Sequence, residues 1–342
     1  MDLPTLWFAA IAVLWIGYFV LEGFDFGVGI LLPFLGKTNT DRRVMINAIG
    51  PVWDGNEVWV LTAGGAMFAA FPAWYASLFS GFYLPLFLVL LALIVRGVAF
   101  EYRGKVDSVQ WRARWDQAIF WGSAIPALLW GVAFANIVRG VPMDADHIVT
   151  ANLLDLLNPY ALLGGLTTLS LFTLHGAMFL SLKTGGEVRL QARRAVPMIA
   201  LVAVPAAAGF LLWTQVSYGT TWTLPLVAIA ALTLVAAVAL ALRGREGWSF
   251  TATATTIAVA TVVLFGSLFP NVLPSTTNPA YSLTVENAAS ADYTLSVMTW
   301  VAVIFLPVVL GYQSWSYWVF RKRITREHIE PTLVPAGRPG DA

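Results

Sequence analysis

Long apolar segments separated by short polar connections run along almost the whole chain. In a helix, about 20 apolar residues are enough to cross the roughly 30 Å hydrocarbon layer of a membrane. The longest segments do not alternate between apolar and polar residues, as the strands of a membrane β-barrel do. The pattern therefore predicts an all-α, polytopic membrane protein with nine transmembrane helices, at residues 6–35, 51–72, 76–100, 117–138, 158–182, 196–216, 222–242, 249–270 and 294–320.

The composition excludes several classes of protein. The 342 residues are 58% hydrophobic and 11% charged, whereas soluble domains contain about 25% charged residues. A formal net charge of +1 provides no basic surface for nucleic acid. Because the chain has no cysteine, it can form no disulfide, no thiolate metal site, no iron–sulfur cluster and no covalent c-type haem attachment.

The distribution of basic residues predicts the orientation. All but two of the 20 Lys and Arg residues lie in the odd-numbered connections between predicted spans or in the tail after the last span. The exceptions are Arg96, inside the third span, and Arg139, in an even-numbered connection. Since basic residues stay on the cytoplasmic side, we expect a membrane domain at 1–323 with an external N-terminus, followed by a cytoplasmic tail at 324–342.

Four acidic residues lie within the first two predicted spans: Glu22, Asp25, Asp54 and Glu57. A charged side chain at the centre of a membrane costs about 2.5–3.5 kcal/mol on insertion scales, so four acids point to a function. Within each span the two acids are three residues apart, which places them on one helix face. The predicted orientation puts all four, together with Arg96, in the cytoplasmic half. We interpret them as a proton path from the cytoplasm, with Arg96 as a structural counter-charge.

Two other interpretations explain the same residues. In the first, the acids pair with Arg96 and with helix termini and only fix the packing, as in a purely structural assembly subunit. In the second, they are the gates of a proton-coupled secondary transporter. Transporters usually carry discontinuous helices in both halves of the chain, whereas here the glycine-rich, acid-bearing segments are confined to the first third.

Histidine and tryptophan raise the question of cofactors. His175 and Met178 lie three residues apart on one predicted helix face, so they cannot bind opposite faces of one haem. We therefore expect His175 to pack between helices, and we expect no catalytic residue, no metal site and no cofactor bound by this chain alone. Trp53 and Trp59 flank the acids of the second span and are candidates for the border of a quinone or a neighbouring cofactor.

Six segments carry a resemblance to a known family. In this sequence they read Gly-Phe-Asp-Phe-Gly-Val-Gly at 23–29, Gly-Pro-Val-Trp-Asp-Gly-Asn-Glu-Val-Trp at 50–59, Gly-Gly-Ala-Met-Phe-Ala-Ala-Phe-Pro at 64–72, Arg-Gly-Val-Ala-Phe-Glu-Tyr-Arg at 96–103, Pro-Ser-Thr-Thr at 274–277 and Val-Met-Thr-Trp-Val at 297–301. Together they resemble subunit II of cytochrome bd-type quinol oxidases. The likeness extends over nearly the whole chain, with the motifs in the same order.

The resemblance implies two four-helix bundles plus a peripheral helix, in a bacterial cytoplasmic membrane. It implies a complex with subunit I that oxidises quinol and reduces O2 to water, with haem d and two b-type haems held by subunit I. Asp54 matches the acid of subunit II that lies in the family's proton path, and Asp25 matches the family's other acid, in Gly-Phe-Asp. Some members also hold a structural quinone in subunit II, and the sequence leaves open whether this chain does. Quinol, lipid and a small single-helix accessory subunit complete the expected partners.

Overall fold

The computed structural model describes residues 2–329, so the predicted tail beyond 329 lies outside the described residues. The chain is almost entirely helical, with one small sheet. The helices are α1 (Leu3–Leu35), α2 (Asn39–Ile49), α3 (Trp53–Ala70), α4 (Pro72–Gly81), α5 (Tyr83–Tyr102), α6 (Val109–Arg139), α7 (Pro159–Lys183), α8 (Gly186–Ser217), α9 (Leu224–Leu242), α10 (Glu246–Leu268), α11 (Asp292–Val319) and α12 (Arg326–Ile329). The strands β1 (Asn271–Leu273) and β2 (Leu283–Thr284) pair antiparallel in the connection before α11.

Eight helices of the described chain are long and apolar enough to cross a membrane, namely α1 and α5 to α11. The segment predicted as the second span corresponds to α3, whose 18 residues begin with a polar turn containing Asp54, Asn56 and Glu57. At its other end, the Ala70 carbonyl accepts a hydrogen bond of 2.8 Å from the Ser290 amide. The predicted count of nine spans therefore stays a prediction that depends on α3.

The third predicted span, 76–100, has the wrong start. The chain forms two helices here, because α4 ends at Gly81 and α5 begins at Tyr83. Phe82 lies between them with φ −102° and ψ 20°. Pro85 follows three residues later and has no amide hydrogen to donate to the Gly81 carbonyl, so the helical hydrogen bonding is interrupted at this point.

Three further helix boundaries differ from the prediction for a common reason. The helix predicted at 117–138 begins at Val109, where the Ser108 hydroxyl caps it by accepting from the Trp111 amide at 3.3 Å. The helix predicted at 196–216 begins at Gly186. The first connection forms α2, capped reciprocally by Thr38 and Asp41. Charged residues form these added turns, which a pattern of apolar residues does not detect.

Helix packing arranges nine of the longer helices, α3 included, in two groups of four and one peripheral helix. In the first group α1 packs against α3 and α6, and α6 packs against α5. In the second group α7 packs against α8 and α10, and α9 packs against both of these. α6 and α1 both pack along α7 and so join the groups, while α11 packs against α1 and α3. The arrangement agrees with the two bundles and peripheral helix that the resemblance implies.

Glycines allow the closest helix contacts. A Cβ on Gly27 of α1 would lie 2.1 Å from the Phe172 carbonyl oxygen and 2.8 Å from the Gly176 Cα of α7. By contrast, a Cβ on Gly64 or Gly65 of α3 would have no neighbour within 4 Å among residues 2–329. α3 therefore presents an open face at these glycines.

Ion pairs hold the odd-numbered connections together at one end of the molecule. Asp116, near the start of α6, binds Arg42 of α2 at 2.6 Å and Arg103 at the end of α5 at 2.5 Å. Asp116 is buried, with 2% of its side chain exposed, so its charge is compensated by two guanidinium groups. These contacts bring the first and third connections together.

The remaining odd-numbered connections join the same end. Glu246, at the start of α10, binds Arg189 of α8 at 2.7 Å and Arg323, after α11, at 2.6 Å. Arg326 of α12 reaches back to Asp41 of α2 at 2.7 Å. The chain after α11 therefore lies beside the first, fifth and seventh connections.

The even-numbered connections meet at the opposite end. The Val141 amide donates to the Pro274 carbonyl at 3.0 Å, and the Ser77 hydroxyl donates to the His147 carbonyl at 2.7 Å. The segment between α10 and α11 also lies at this end and contains the β1–β2 pair. The two ends are thus formed by different sets of connections.

Candidate functional site

A buried polar cluster lies where α1, α3 and α5 face each other. α1 contributes Glu22 and Asp25, α3 contributes Asn56 and Glu57, and α5 contributes Arg96. All but Glu57 have 0% of their surface exposed, and the Glu57 side chain is 20% exposed. The three-residue spacing in α1 directs both of its acids towards α3 and α5.

Arg96 lies at the centre of the cluster. Its Nη1 donates to the Oε1 of Glu22 and lies 3.4 Å from the Oε1 of Glu57. Its guanidinium carbon stands 4.8 Å from the ring centre of Phe26 and 5.4 Å from that of Phe100. Carboxylates and aromatic faces both stabilise a buried guanidinium. The predicted role of Arg96 as a counter-charge is consistent with this geometry.

Asp25 belongs to a second network that extends to α11. Asn56 Nδ2 donates to the Oδ2 of Asp25 at 2.6 Å and to the Leu21 carbonyl at 3.3 Å. The Tyr317 hydroxyl in turn donates to the Oδ1 of Asn56 at 2.7 Å. Gln313 Nε2 approaches the same oxygen at 3.4 Å. A continuous hydrogen-bonded chain therefore links a tyrosine near the end of α11 to a buried acid of α1.

The cluster contains more acid than base, and part of it lacks partners. Glu22, Asp25 and Glu57 supply three carboxyl groups, while Arg96 is the cation that contacts the cluster. Within the described chain, Glu22 Oε2, Asp25 Oδ1 and the Nε and Nη2 of Arg96 have no hydrogen-bond partner. Unsatisfied buried polar atoms are rare and costly. The site is therefore suited to binding water and exchanging protons.

Asp54 does not join the cluster, although the sequence placed it with the other three acids. It is exposed and lies in the first turn of α3, where the helix dipole favours an anion. It forms no hydrogen bond or ion pair with another residue of the described range. Glu57, the partly exposed member of the cluster, follows one turn later on the same helix.

Both candidate tryptophans take part in helix packing. Trp53 lies against Phe100 of α5, with 5.1 Å between ring centres. Trp59 Nε1 donates to the Oε1 of Gln313 at 2.9 Å. The Trp59 ring also fills the space beside Gly17, where a Cβ would lie 2.1 Å from the ring. A quinone border at these residues stays a prediction.

Sequence reasoning missed Asn56, Gln313 and Tyr317. Asn56 stands between Asp54 and Glu57 in the second span, and its position in the same helical turn could have marked it. Tyr317 belongs to the run Trp-Ser-Tyr-Trp at 315–318, which resembles an ordinary interfacial aromatic belt. Its contact with α3 depends on how α11 docks, which the local sequence does not specify.

The buried histidine is fully engaged in packing. His175 Nδ1 lies 2.6 Å from the Thr253 hydroxyl, and Nε2 lies 3.2 Å from the Val20 carbonyl. The ring stacks on Phe250 at 4.5 Å between centres. Because both ring nitrogens are hydrogen-bonded, neither is free to ligate a haem iron, so the residues around His175 do not fit a haem.

Comparison with known proteins identifies a family. The sequence pattern of the family described as "Cytochrome bd terminal oxidase subunit II" matches residues 3–320. The chain is 46% identical over 336 residues to "Cytochrome bd ubiquinol oxidase subunit 2" of Bacillus subtilis (strain 168), covering 96% of this chain and 98% of that protein. It is 38% identical over 368 residues to "Cytochrome bd-I ubiquinol oxidase subunit 2" of Escherichia coli (strain K12), covering 96% and 97%.

A solved structure has the same fold. A chain from "The structure of bd oxidase from Geobacillus thermodenitrificans" superposes with a TM-score of 0.77, covering 94% of this chain and 99% of that one. The sequence identity of that match is 18%, so it supports the arrangement of the helices and carries no information about individual residues.

Proposed function

Because this chain belongs to the cytochrome bd terminal oxidase subunit II family, we propose that it supplies half of the membrane scaffold and a cytoplasmic proton route to a haem-bearing subunit I. The chain is an integral membrane subunit of a bacterial oxidoreductase complex, as the resemblance implied. In the proposed reaction the complex oxidises quinol and reduces O2 to water. Haem d and two b-type haems are then held by subunit I. Because the chain belongs to this family, we no longer retain the interpretation as a proton-coupled secondary transporter.

The main support for the proposed proton route is that the cluster contains more buried carboxyl groups than cations. The α1–α3–α5 cluster contains three carboxyl groups and one guanidinium, which contacts Glu22 and Glu57, while Asp25 accepts a hydrogen bond from Asn56. An apolar interior does not hold two uncompensated negative charges, so some of these groups bind protons. Reducing O2 to water consumes protons, and a cluster of this kind can deliver them.

The exposed face of α3 supports the direction of the route. Asp54 shares this face with Val58, Leu61 and Phe68, which are 49%, 70% and 61% exposed. Lipid would cover such an apolar face well but would leave the Asp54 charge poorly solvated. We therefore place subunit I against α3, where the open surface at Gly65 permits close contact. Protons then pass between the buried cluster and subunit I through Glu57 and Asp54.

The proposal keeps the orientation predicted from the basic residues. The end where the odd-numbered connections meet faces the cytoplasm, and the N-terminus is external. The membrane domain is 1–323, with nine spans when α3 is counted, and the tail begins at 324. Lipid, a small single-helix accessory subunit and a structural quinone are the further proposed partners for the exposed apolar faces, with Trp53 and Trp59 as the proposed quinone border.

Neutral substitutions at the acids test the route. We expect Asp54→Asn and Asp25→Asn to lower quinol-dependent oxygen uptake of the purified complex at least roughly tenfold, since a positioned proton-transfer group contributes about 10²–10⁴-fold. Asp292→Asn is the matched control, because Asp292 is also an exposed acid in the first turn of a helix, at the other end of the molecule.

Haem content distinguishes the proton-route interpretation from that of a purely structural subunit. In the proton-route interpretation, the Asn variants keep the haem absorbance of the complex while turnover falls. If Asp54→Asn and Asp25→Asn retain both full haem and full turnover, the acids have no proton role and the subunit is architectural. The fully buried Glu22–Arg96 pair is the observation that favours this second interpretation.

A further inference from the structure

A large apolar cavity opens at the end where the odd-numbered connections meet. Its volume is about 550 Å³, which lies within the roughly 300–1,000 Å³ of small-molecule sites. Two other cavities of the described chain are about 50 and 20 Å³. Its walls come from α1, α2, the α2–α3 connection, α7, α10 and α11 and include Val20, Phe24, Phe179 and Phe250. We call this space the α1–α11 cavity.

Two cations at the edge of the α1–α11 cavity lack acidic partners. Lys183 Nζ donates to the Lys322 carbonyl at 3.0 Å. Arg321 Nη1 donates to the Trp318 carbonyl at 2.5 Å, and its guanidinium lies 4.3 Å from the ring centre of that tryptophan. Neither side chain has a carboxylate of the described chain within 4.0 Å. The third basic residue of the lining, Arg323, is already paired with a glutamate.

We propose that the α1–α11 cavity holds an acyl chain of an anionic phospholipid from the cytoplasmic leaflet, with the phosphate bound by Lys183 and Arg321. The apolar walls match an acyl chain, and the two unpaired cations match a negative headgroup. A quinone carries no charge and would leave both cations uncompensated. The proposal rests on the proposed membrane orientation and is independent of the proton route.

The proposed lipid would also shield part of the buried network. Tyr317 lines the α1–α11 cavity and donates to Asn56, which donates to Asp25. An acyl chain in the cavity would keep bulk water away from this side of the network.

Lipid retention by the purified complex provides the test. The complex is stripped of loosely bound lipid in detergent, and binding of phosphatidylglycerol and of phosphatidylcholine is measured by native mass spectrometry. We expect Lys183→Gln with Arg321→Gln to weaken phosphatidylglycerol binding about twenty-five-fold, since each cation near an anionic headgroup contributes roughly fivefold. Leu182→Trp, which fills the cavity, should remove both lipids from this site.

The matched control is Lys105→Gln with Arg243→Gln, which removes the same charge from exposed residues of other odd-numbered connections. Phosphatidylglycerol binding should be unchanged in this control. Equal losses in both double variants, a quinone as the retained molecule, or a preference for phosphatidylcholine would overturn the proposal. Increased lipid binding after removal of residues 330–342 would indicate that the tail, and not a lipid, occupies the cavity in the full chain. Oxygen uptake on the same samples reports on the proposed function separately.

Discussion

Arg96 is the residue on which the buried cluster depends most directly. It contacts Glu22 and Glu57 and lies between two phenylalanine rings. Removing one partner of a buried ion pair typically costs about 3–5 kcal/mol, because the other charge is left uncompensated. We expect Arg96→Gln to lower the yield and the thermal unfolding midpoint of the complex markedly.

A compensating change distinguishes charge from packing at this position. Arg96→Gln combined with Glu22→Gln should recover much of the lost stability, since the double variant leaves no charge of the pair unmatched. Arg43→Gln, at an exposed residue of α2, is the control and should change the midpoint little. If the double variant is no more stable than Arg96→Gln alone, packing of the arginine rather than its charge maintains the site.

Tyr317 offers a finer test of the network around Asp25. Tyr317→Phe removes the hydroxyl that donates to Asn56 at 2.7 Å, which should cost about 0.5–1.5 kcal/mol of stability. Asn56→Leu removes the donor to Asp25 itself and should cost about 1–3 kcal/mol, because a buried acceptor is left unsatisfied. Denaturation of the purified complex measures both.

The matched control lies on the same helix. Tyr312→Phe changes a tyrosine of α11 that is 69% exposed, and its stability should equal that of the unmodified complex. A loss at Tyr312 as large as that at Tyr317 would mean that the hydroxyl bond to Asn56 contributes nothing specific.

At the scale of single residues, the sequence predicted which residue types form the site. It did not predict which other residues they contact. Acids within apolar segments are visible because hydrocarbon penalises charge, so Glu22, Asp25 and Glu57 were found. Asp54 carries the same signal but lies on the exposed face of its helix. Whether a helix face is inside or outside depends on neighbouring helices that its own sequence does not describe.

At the scale of elements, the contact between α1 and α7 depends on Gly27. A Cβ at this position would lie 2.1 Å from a backbone oxygen of α7, and backbone cannot move aside cheaply. We expect Gly27→Ala to reduce the unfolding midpoint and the yield of the complex. Gly247→Ala is the control, since a Cβ there meets nothing within 4 Å. Equal stability of the two variants would show that α1 and α7 can separate without cost.

The helices themselves were predicted where apolar residues form them and missed where polar residues do. The capping residues Thr38 and Asp41 of α2 are readable as a helix start, because a hydroxyl and a carboxylate three residues apart satisfy each other's backbone amides. The break at Phe82 was less visible, since the residues on both sides are equally apolar. Pro85 is the local signal that could have indicated it.

At the scale of the whole molecule, the two ends are fixed by different chemistry. Buried acids bound by arginines hold the odd-numbered connections together, as at Asp116 and Glu246. Backbone and hydroxyl hydrogen bonds hold the even-numbered ones. The alternation of basic residues along the sequence predicted which connections meet. It could not predict their partners, because ion pairs between distant segments leave no local pattern.

The number of spans can be tested by determining on which side of the membrane each end of the membrane domain lies. Since the sequence contains no cysteine, single cysteines can be introduced at Asp2 and at Lys322, both of which are exposed. If α3 crosses the membrane, the number of spans is odd. A membrane-impermeant maleimide applied to intact cells should then label Asp2→Cys but label Lys322→Cys only after the membrane is opened. Thr277→Cys and Lys105→Cys serve as the external and cytoplasmic references. Labelling of Asp2→Cys and Lys322→Cys from the same side would leave α3 outside the set of spans and would remove the cytoplasmic access on which the proposed proton route depends.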